Sequence, residues 1–250
     1  MRDRIHRACV LGASRRAEVA PIGEVLRRDG LVVALTNIHD PSVNTTHVES
    51  DPVEPAAALA WAAGVFADRG LAFFGVEFER GRHPAVEAAV HQMGLAKLLS
   101  SNVMAAPIAG IAETTMPADV TIERVRDVAD LAHVRAIDRE AFESSAEISA
   151  GLAPDSIVER EDCAMFMARL DGEPVGEATA WLLEETVGIF GVAVAEHARR
   201  RGIGAALTST AARSFGDRAD LAWLLPTEMS VGLYRGLGFD GVSAYEVWGR

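Results

Sequence analysis

Three features of the sequence predict an α/β (α+β) fold. Between residues 31 and 107, short apolar runs alternate with alanine-rich helical segments, the order of a layered fold. Between residues 164 and 195, three strand-like runs follow one another across tight turns, which reads as an antiparallel meander. Residues 69–104 and 218–247 also share one pattern of strand, helix, a Gly-hydrophobic stop and strand. This internal repeat pairs Gly94-Leu95 with Gly238-Phe239.

In chain order, Asp29-Gly30 forms a turn before a strand at residues 31–36, and residues 44–50 are suited to lie beside it. A helix is expected at 53–68, a strand at 71–78, a helix at 84–93 and a strand at 98–107. Residues 108–119 lose periodicity and collect small, turn-forming residues, so a boundary is placed there, with domains at 1–115 and 116–250. A fresh strand at 120–125 precedes a helix at 128–142 with apolar residues at helical spacing. Strands at 164–170, 174–183 and 187–195 are joined by Asp171-Gly172 and a second turn at 184–186. A helix at 202–215, a strand at 221–225, a helix capped by Thr227 and reaching Leu237, and a strand at 241–248 complete the chain.

Composition limits the function classes. Hydrophobic residues form 49% of the 250, enough for a real core, which excludes a disordered chain. The net charge of -12, from 36 acids against 24 bases, argues against nucleic acid, whose phosphates need a basic field. It suits a cationic substrate, although solubility alone explains an acidic surface. Cys9 and Cys163 lie far apart and form no metal or redox motif. The amino terminus is charged, without an apolar signal core, and the longest apolar stretch, 55–67, is too short to span a bilayer. A cytoplasmic protein without membrane partners is expected.

The informative segment runs from Val192 through Arg199, Arg200, Arg201, Gly202, Ile203 and Gly204 to Leu207. A strand ends in a basic loop, two glycines follow, and a helix begins. Such a turn aims free backbone N–H groups and the positive end of a helix dipole at one point. The glycines let an anion approach the main chain, and the arginines attract it from afar. A pyrophosphate fits this place. Downstream, Leu233-Tyr234-Arg235-Gly236-Leu237-Gly238-Phe239 forms a second signature.

With these two motifs in this order, residues 120–250 resemble a GNAT acyltransferase domain. Arg199-x-x-Gly202-x-Gly204 stands as its pyrophosphate loop and Leu233-Tyr234-x-x-Leu237-Gly238-Phe239 as its late helix and strand entry. The resemblance implies a mixed, mostly antiparallel sheet flanked by helices, with a bulged strand at 187–195 that splays from the strand at 221–225. It implies acetyl-CoA as co-substrate, a primary amine as acceptor, and no metal. Main-chain groups of Val192 and Val194 would hold the acyl carbonyl and pantetheine. Amides from Arg200 to Ala205, including those of Arg201, Gly202 and Gly204, would hold the pyrophosphate beside Arg199. Tyr234 would protonate the leaving thiolate, or else serve as a core aromatic.

Two departures bear on the chemistry. The family's frequent asparagine seven residues before the tyrosine is Thr227 here, and its usual strand glutamate is replaced by Val187, Gly188, Ile189 and Phe190. The nearest acids are Glu184 and Glu185 in the preceding turn and Glu177 on the strand before, and Glu185 is taken as the base. A base matters because freeing the lone pair of an amine of pKa ~10 at pH 7 costs roughly 4 kcal/mol. A non-catalytic acyl-CoA-binding sensor or scaffold is the alternative.

The first half lacks the pyrophosphate loop and has Val90 where the second has Tyr234, so it reads as a related but degenerate unit without a coenzyme site. Roofing the substrate groove and forming an interface, such as that of a homodimer, are both open to it. His83, Glu87 and His91 recur every four residues along a helix and share a face. A polar helix face is a plainer reading of them than a zinc site.

Overall fold

The computed structural model describes residues 1–250, which divide into two compact units: Met1–Asn102 with Ser243–Arg250, and Val103–Val242. No helix is long and apolar enough to cross a membrane.

The first unit begins with helix α1 (Arg2–Val19), followed by strands β1 (Glu24–Arg28), β2 (Leu31–Leu35) and β3 (Asn44–Val48). Helix α2 (Pro55–Asp68), strand β4 (Gly75–Glu79) and helix α3 (Pro84–Gln92) follow, and strand β5 (Ala96–Pro107) begins here. Pro55 and Pro84 open their helices at the first position, where the missing N–H costs nothing. β1, β2 and β3 are antiparallel, and β3 then runs parallel to β4. The even residues Val76 and Phe78 of β4 join the apolar core with Leu59, Phe66 and Val86. The odd residues, Glu77 and Glu79, fall on the opposite face by strand alternation.

The second unit holds strand β6 (Val120–Arg124), helices α4 (Val128–Phe142) and α5 (Ala146–Leu152), and strands β7 (Cys163–Leu170), β8 (Glu173–Leu183) and β9 (Thr186–Val194). Helix α6 (Ile203–Ala212), strand β10 (Leu221–Leu224), helix α7 (Val231–Gly236) and strand β11 (Asp240–Gly249) complete the chain. Asp127 caps α4 through the Asp130 amide, a contact worth about 1 kcal/mol. Asp171 and Gly172, at φ 49° and 87°, make the β7–β8 turn with both residues in the left-handed region a tight hairpin uses. β6 to β9 form the antiparallel meander, and β9 then runs parallel to β10.

Each unit therefore contains strand, helix, parallel strand and helix, and the helix stops match in detail. After α3, the Gly94 amide donates to the His91 carbonyl and the Leu95 amide to that of Val90, at 3.0 and 3.1 Å. After α7, the Gly238 amide donates to Arg235 and the Phe239 amide to Tyr234, both at 3.0 Å. Both glycines have positive φ, 69° and 96°. This stop needs a left-handed residue, and glycine adopts it without a Cβ penalty. The first half thus repeats the plan of the second.

The next strand after each stop completes the repeat in an unexpected way. β4 pairs with β11 over Tyr245–Gly249, while β10 pairs with β5 over Met104–Pro107. The division falls at Asn102/Val103, ahead of the 108–119 stretch where composition placed it, and assigns the end of β11 to the first unit. The stretch itself contains a single 3-10 turn, Ile108–Gly110, and lies inside the second unit. Composition records local turns, whereas this division follows strand pairings remote in sequence.

Candidate active site

β9 is the element that builds the site. Its pairing with β10 runs from Thr186↔Leu221 to Ile189↔Leu224 and ends there, so the rest of β9 leaves its parallel neighbour. On its other side, Glu177 of β8 pairs with Ala193 and Thr179 with Phe190, so Gly191 and Val192 of β9 stand opposite the single Ala178 of β8. That is a bulge, and Gly191 supplies its left-handed residue at φ 61°. The departure from β10 and the bulge lie within the same few residues.

A cavity of about 460 Å³ opens along this part of β9, lined by residues 189–194. Its apolar walls include Phe142, Leu225, Met229 and Leu233, all exposed at its rim. The polar side chains are Arg199, Thr227, Ser230 and Tyr234, so no carboxylate lines it directly. Of the residues expected from the sequence, Val192, Val194, Arg199, Gly204 and Tyr234 come together here.

One end of the cavity reaches the first turn of α6 at Gly204. Gly202 is the helix N-cap, at φ 82°, and Arg200 before it has φ 66°. The first helical bond joins the Ala206 amide to the Gly202 carbonyl at 3.0 Å, so the preceding amides of the turn have no helical acceptor. Arg199 donates through Nε to the Val194 carbonyl at 2.9 Å, which fixes the guanidinium beside the end of β9. Arg201 turns to Asp119 at 2.6 Å; the pair is exposed and worth only about 0.2–1 kcal/mol, so it positions the loop more than it stabilises the fold. Arg200 is exposed, and Ala205 is half-buried in the first turn. The chain path fits an anion: left-handed residues aim the loop at a helix N-terminus, and basic side chains surround it. A Cβ on Gly204 would meet Leu233 at 3.5 Å and Val194 at 3.8 Å, ordinary contact, so a larger side chain there would extend into the seat.

Tyr234 is 7% exposed and packs edge-on to Phe239, 6.1 Å between centroids. Burial raises its hydroxyl pKa above the usual tyrosine value, and a hydrogen bond with Ser230 offsets part of this. It stays protonated at neutral pH and can donate. Thr227 contacts the Ser230 hydroxyl at 3.0 Å and precedes a 3-10 turn, with α7 starting only at Val231.

Glu185 is not brought to this site. It is exposed in the turn between β8 and β9, and its carbonyl accepts the Asp220 amide at 3.3 Å. The first cavity residue on β9, Ile189, lies four positions further on, about 13 Å along a strand. The carboxyl beside the bulge is Glu177, which is 2% exposed. A Cβ built on Gly191 would stand 2.7 Å from its Oε1. Its pKa is raised well above the usual carboxylate value, first by burial and then by the charge of Asp138 on α4. The sequence signal was available: Glu177 is the acid on the strand next to β9.

His83, Glu87 and His91 do not converge. His83 is buried against Asp51 at 2.8 Å, Glu87 accepts the Gly81 amide at 2.6 Å, and His91 stands edge-on to Trp248. Cys9 and Cys163 are both raised by burial, Cys163 to about 12, which makes poor nucleophiles of them.

Residues 131–239 match the Acetyltransferase (GNAT) family. Similar solved structures include a GCN5-related N-acetyltransferase from Kribbella flavida, 22% identical with a TM-score of 0.81, covering 100% of this chain and 95% of that one. Another, from Sphaerobacter thermophilus, is 18% identical with a TM-score of 0.64, covering 88% and 76%. A tandem GNAT protein from the clavulanic acid biosynthesis pathway is 15% identical with a TM-score of 0.62, covering 90% and 81%. At these identities the likeness is one of fold. Among curated proteins, none matches the chain.

Proposed function

We propose, for a chain whose residues 131–239 match the Acetyltransferase (GNAT) family, that it transfers an acetyl or other short acyl group from coenzyme A to a primary amine. Family and fold support acetyl transfer from acyl-CoA in general. The observation that supports this chain's own use of the site is the departure of β9 from β10 at the Gly191 bulge, into a cavity that ends at the α6 N-terminus.

In this reading the amides of residues 200–205 take the pyrophosphate, helped by the dipole of α6 and by Arg199. Main-chain groups of Val192 and Val194, released from β10, take the pantetheine and the thioester carbonyl. A main-chain donor at that carbonyl stabilises the oxyanion of the tetrahedral intermediate. The apolar walls exclude water from the thioester and align the two reactants. As the C–S bond breaks, the Tyr234 hydroxyl gives its proton to the departing sulfur.

The first unit is proposed to take no coenzyme. Its link from β3 to α2 reads Glu49-Ser50-Asp51-Pro52-Val53-Glu54, and its three acids would repel a pyrophosphate at that helix start. Val90 stands where Tyr234 does and offers no proton.

Titration calorimetry with acetyl-CoA tests binding, and thiol release across a panel of primary amines tests transfer. Binding with no thiol release above the uncatalysed rate would favour a sensor or scaffold, a reading supported by the lack of any carboxylate on the cavity wall itself.

A further inference from the structure

We propose that Glu177, backed by Asp138, is the proton acceptor of the reaction, reaching the amine past the bulge at Gly191. This rests on the reading of the cavity as an acyl-CoA site. Three observations carry it.

The first is position. Glu177 lies across the ladder from Ala193, and cross-strand partners share a face of the sheet. Ala193 and Gly191 both line the cavity. The side chain reaches the main chain at Gly191, where the missing Cβ leaves room for the carboxyl: Oε1, Cδ and Oε2 all lie within 3.4 Å of that vacant point. A Cβ at 191 would collide with this carboxyl.

The second is the state of the group. A buried carboxyl is ordinarily compensated by hydrogen bonds or a cation. Here burial and the charge of Asp138 both act on Glu177 in the same direction, and no cation or donor opposes them. Asp138, on α4, is itself raised by desolvation, and the Ser144 hydroxyl at 3.3 Å offsets only part of this. Such an arrangement costs stability, and groups of this kind concentrate at sites of chemistry.

The third is the lack of a rival. The cavity wall holds Arg199, Thr227, Ser230 and Tyr234 but no carboxylate or histidine.

An ammonium acceptor gives one N–H proton to the Glu177 carboxylate, becoming a neutral amine and leaving Glu177 as the acid. The nitrogen lone pair forms the C–N bond to the thioester carbon, and the carbonyl electrons move to oxygen. The intermediate's second N–H proton is lost as the carbonyl re-forms and the C–S electrons leave on sulfur, which is protonated by Tyr234. That second proton restores Tyr234. Glu177 returns its proton to solvent, so one proton is released per turnover. A carboxylate attracts the acceptor as its ammonium ion.

The test uses the full chain with acetyl-CoA, following thiol release to 2-phenylethylamine and, as the minimal acceptor, to water. Glu177→Gln should bind acetyl-CoA with the wild-type dissociation constant and lose about 10²-fold in turnover. In Asp138→Asn, the charge that raises Glu177 is gone, so the acid limb of kcat/KM should move to lower pH. Asp138 is the one titratable group whose charge reaches Glu177. Unchanged turnover in Glu177→Gln, or an unmoved acid limb in Asp138→Asn, overturns the assignment while leaving the coenzyme site intact. Wild-type protein that binds acetyl-CoA but releases thiol no faster than free solution also overturns it. Failure of the wild type to bind acetyl-CoA removes the coenzyme reading itself, a separate result. If Glu177→Gln does not fold, the Asp138→Asn profile decides.

Discussion

The carboxyl of Glu177 fills the space beside Gly191 where a side chain would begin, with Oε1 2.7 Å from the position of an absent Cβ. Glycine at 191 is thus required twice, once by its φ of 61° and once by its neighbour. Gly191→Ala should cost about 1–2 kcal/mol for the left-handed backbone alone, with more from displacing a buried carboxyl. Chemical denaturation of the variant should show that loss, together with a drop in turnover. Wild-type stability and turnover would mean that the bulge is free to relax.

Stability should respond to pH through Glu177. Its folded pKa is raised, so its contribution is fully present below the unfolded value near 4.5 and is lost as pH rises through the folded value. Glutamine carries no such dependence. Relative to wild type, Glu177→Gln should therefore be more stable at pH 8 than at pH 5, as read from denaturation midpoints. A difference that is constant over this range would place Glu177 in an ordinary environment.

Gly204 separates space from charge. Alanine there meets only ordinary contacts, at 3.5 Å or more, and should bind acetyl-CoA close to normally. Glutamate would place a negative charge at the helix N-terminus and fill the phosphate seat. Calorimetry should show binding abolished in Gly204→Glu. Undiminished affinity in a folded Gly204→Glu protein would remove α6 from the site.

Tyr234→Phe keeps the ring against Phe239 and removes only the hydroxyl. Turnover should fall on the order of 10²-fold with substrate binding spared, because the proton is needed only as the C–S bond breaks. Full kcat across the pH range would make Tyr234 a packing residue.

Much of this was legible in the sequence, and the parts that were not have physical reasons. α4 was read to the residue because Leu131, Val134 and Ile137 recur at helical spacing behind a capping Asp127. The meander and the helix stop at Gly238 were legible because turns and glycine stops are local. α1 has no clear sequence signal because its buried face is partly polar: His6 and Ser14 sit among Ile5, Ala8 and Ala13. β1, reading Glu-Val-Leu-Arg-Arg, shows no apolar alternation. The pairings β4–β11 and β5–β10 join segments far apart in the chain, which no local pattern records. Val192, Val194, Arg199, Gly204 and Tyr234 line one cavity, and each lies in or beside one of the two local motifs, at 192–207 and 233–239. As for the acid, Glu185 is close to the site strand in sequence, whereas Glu177 is close in space. Only the bulged register, Glu177 against Ala193, tells them apart.

The most direct measurement of the central claim is a crystal structure of the full chain grown with acetyl-CoA. It should show one coenzyme per chain, its pyrophosphate on the amides of residues 200–205 and its thioester between Val192 and Tyr234, with Glu177 facing the acetyl group past Gly191. Coenzyme bound within residues 1–102, or absent from the β9 cavity at saturating concentration, would contradict it.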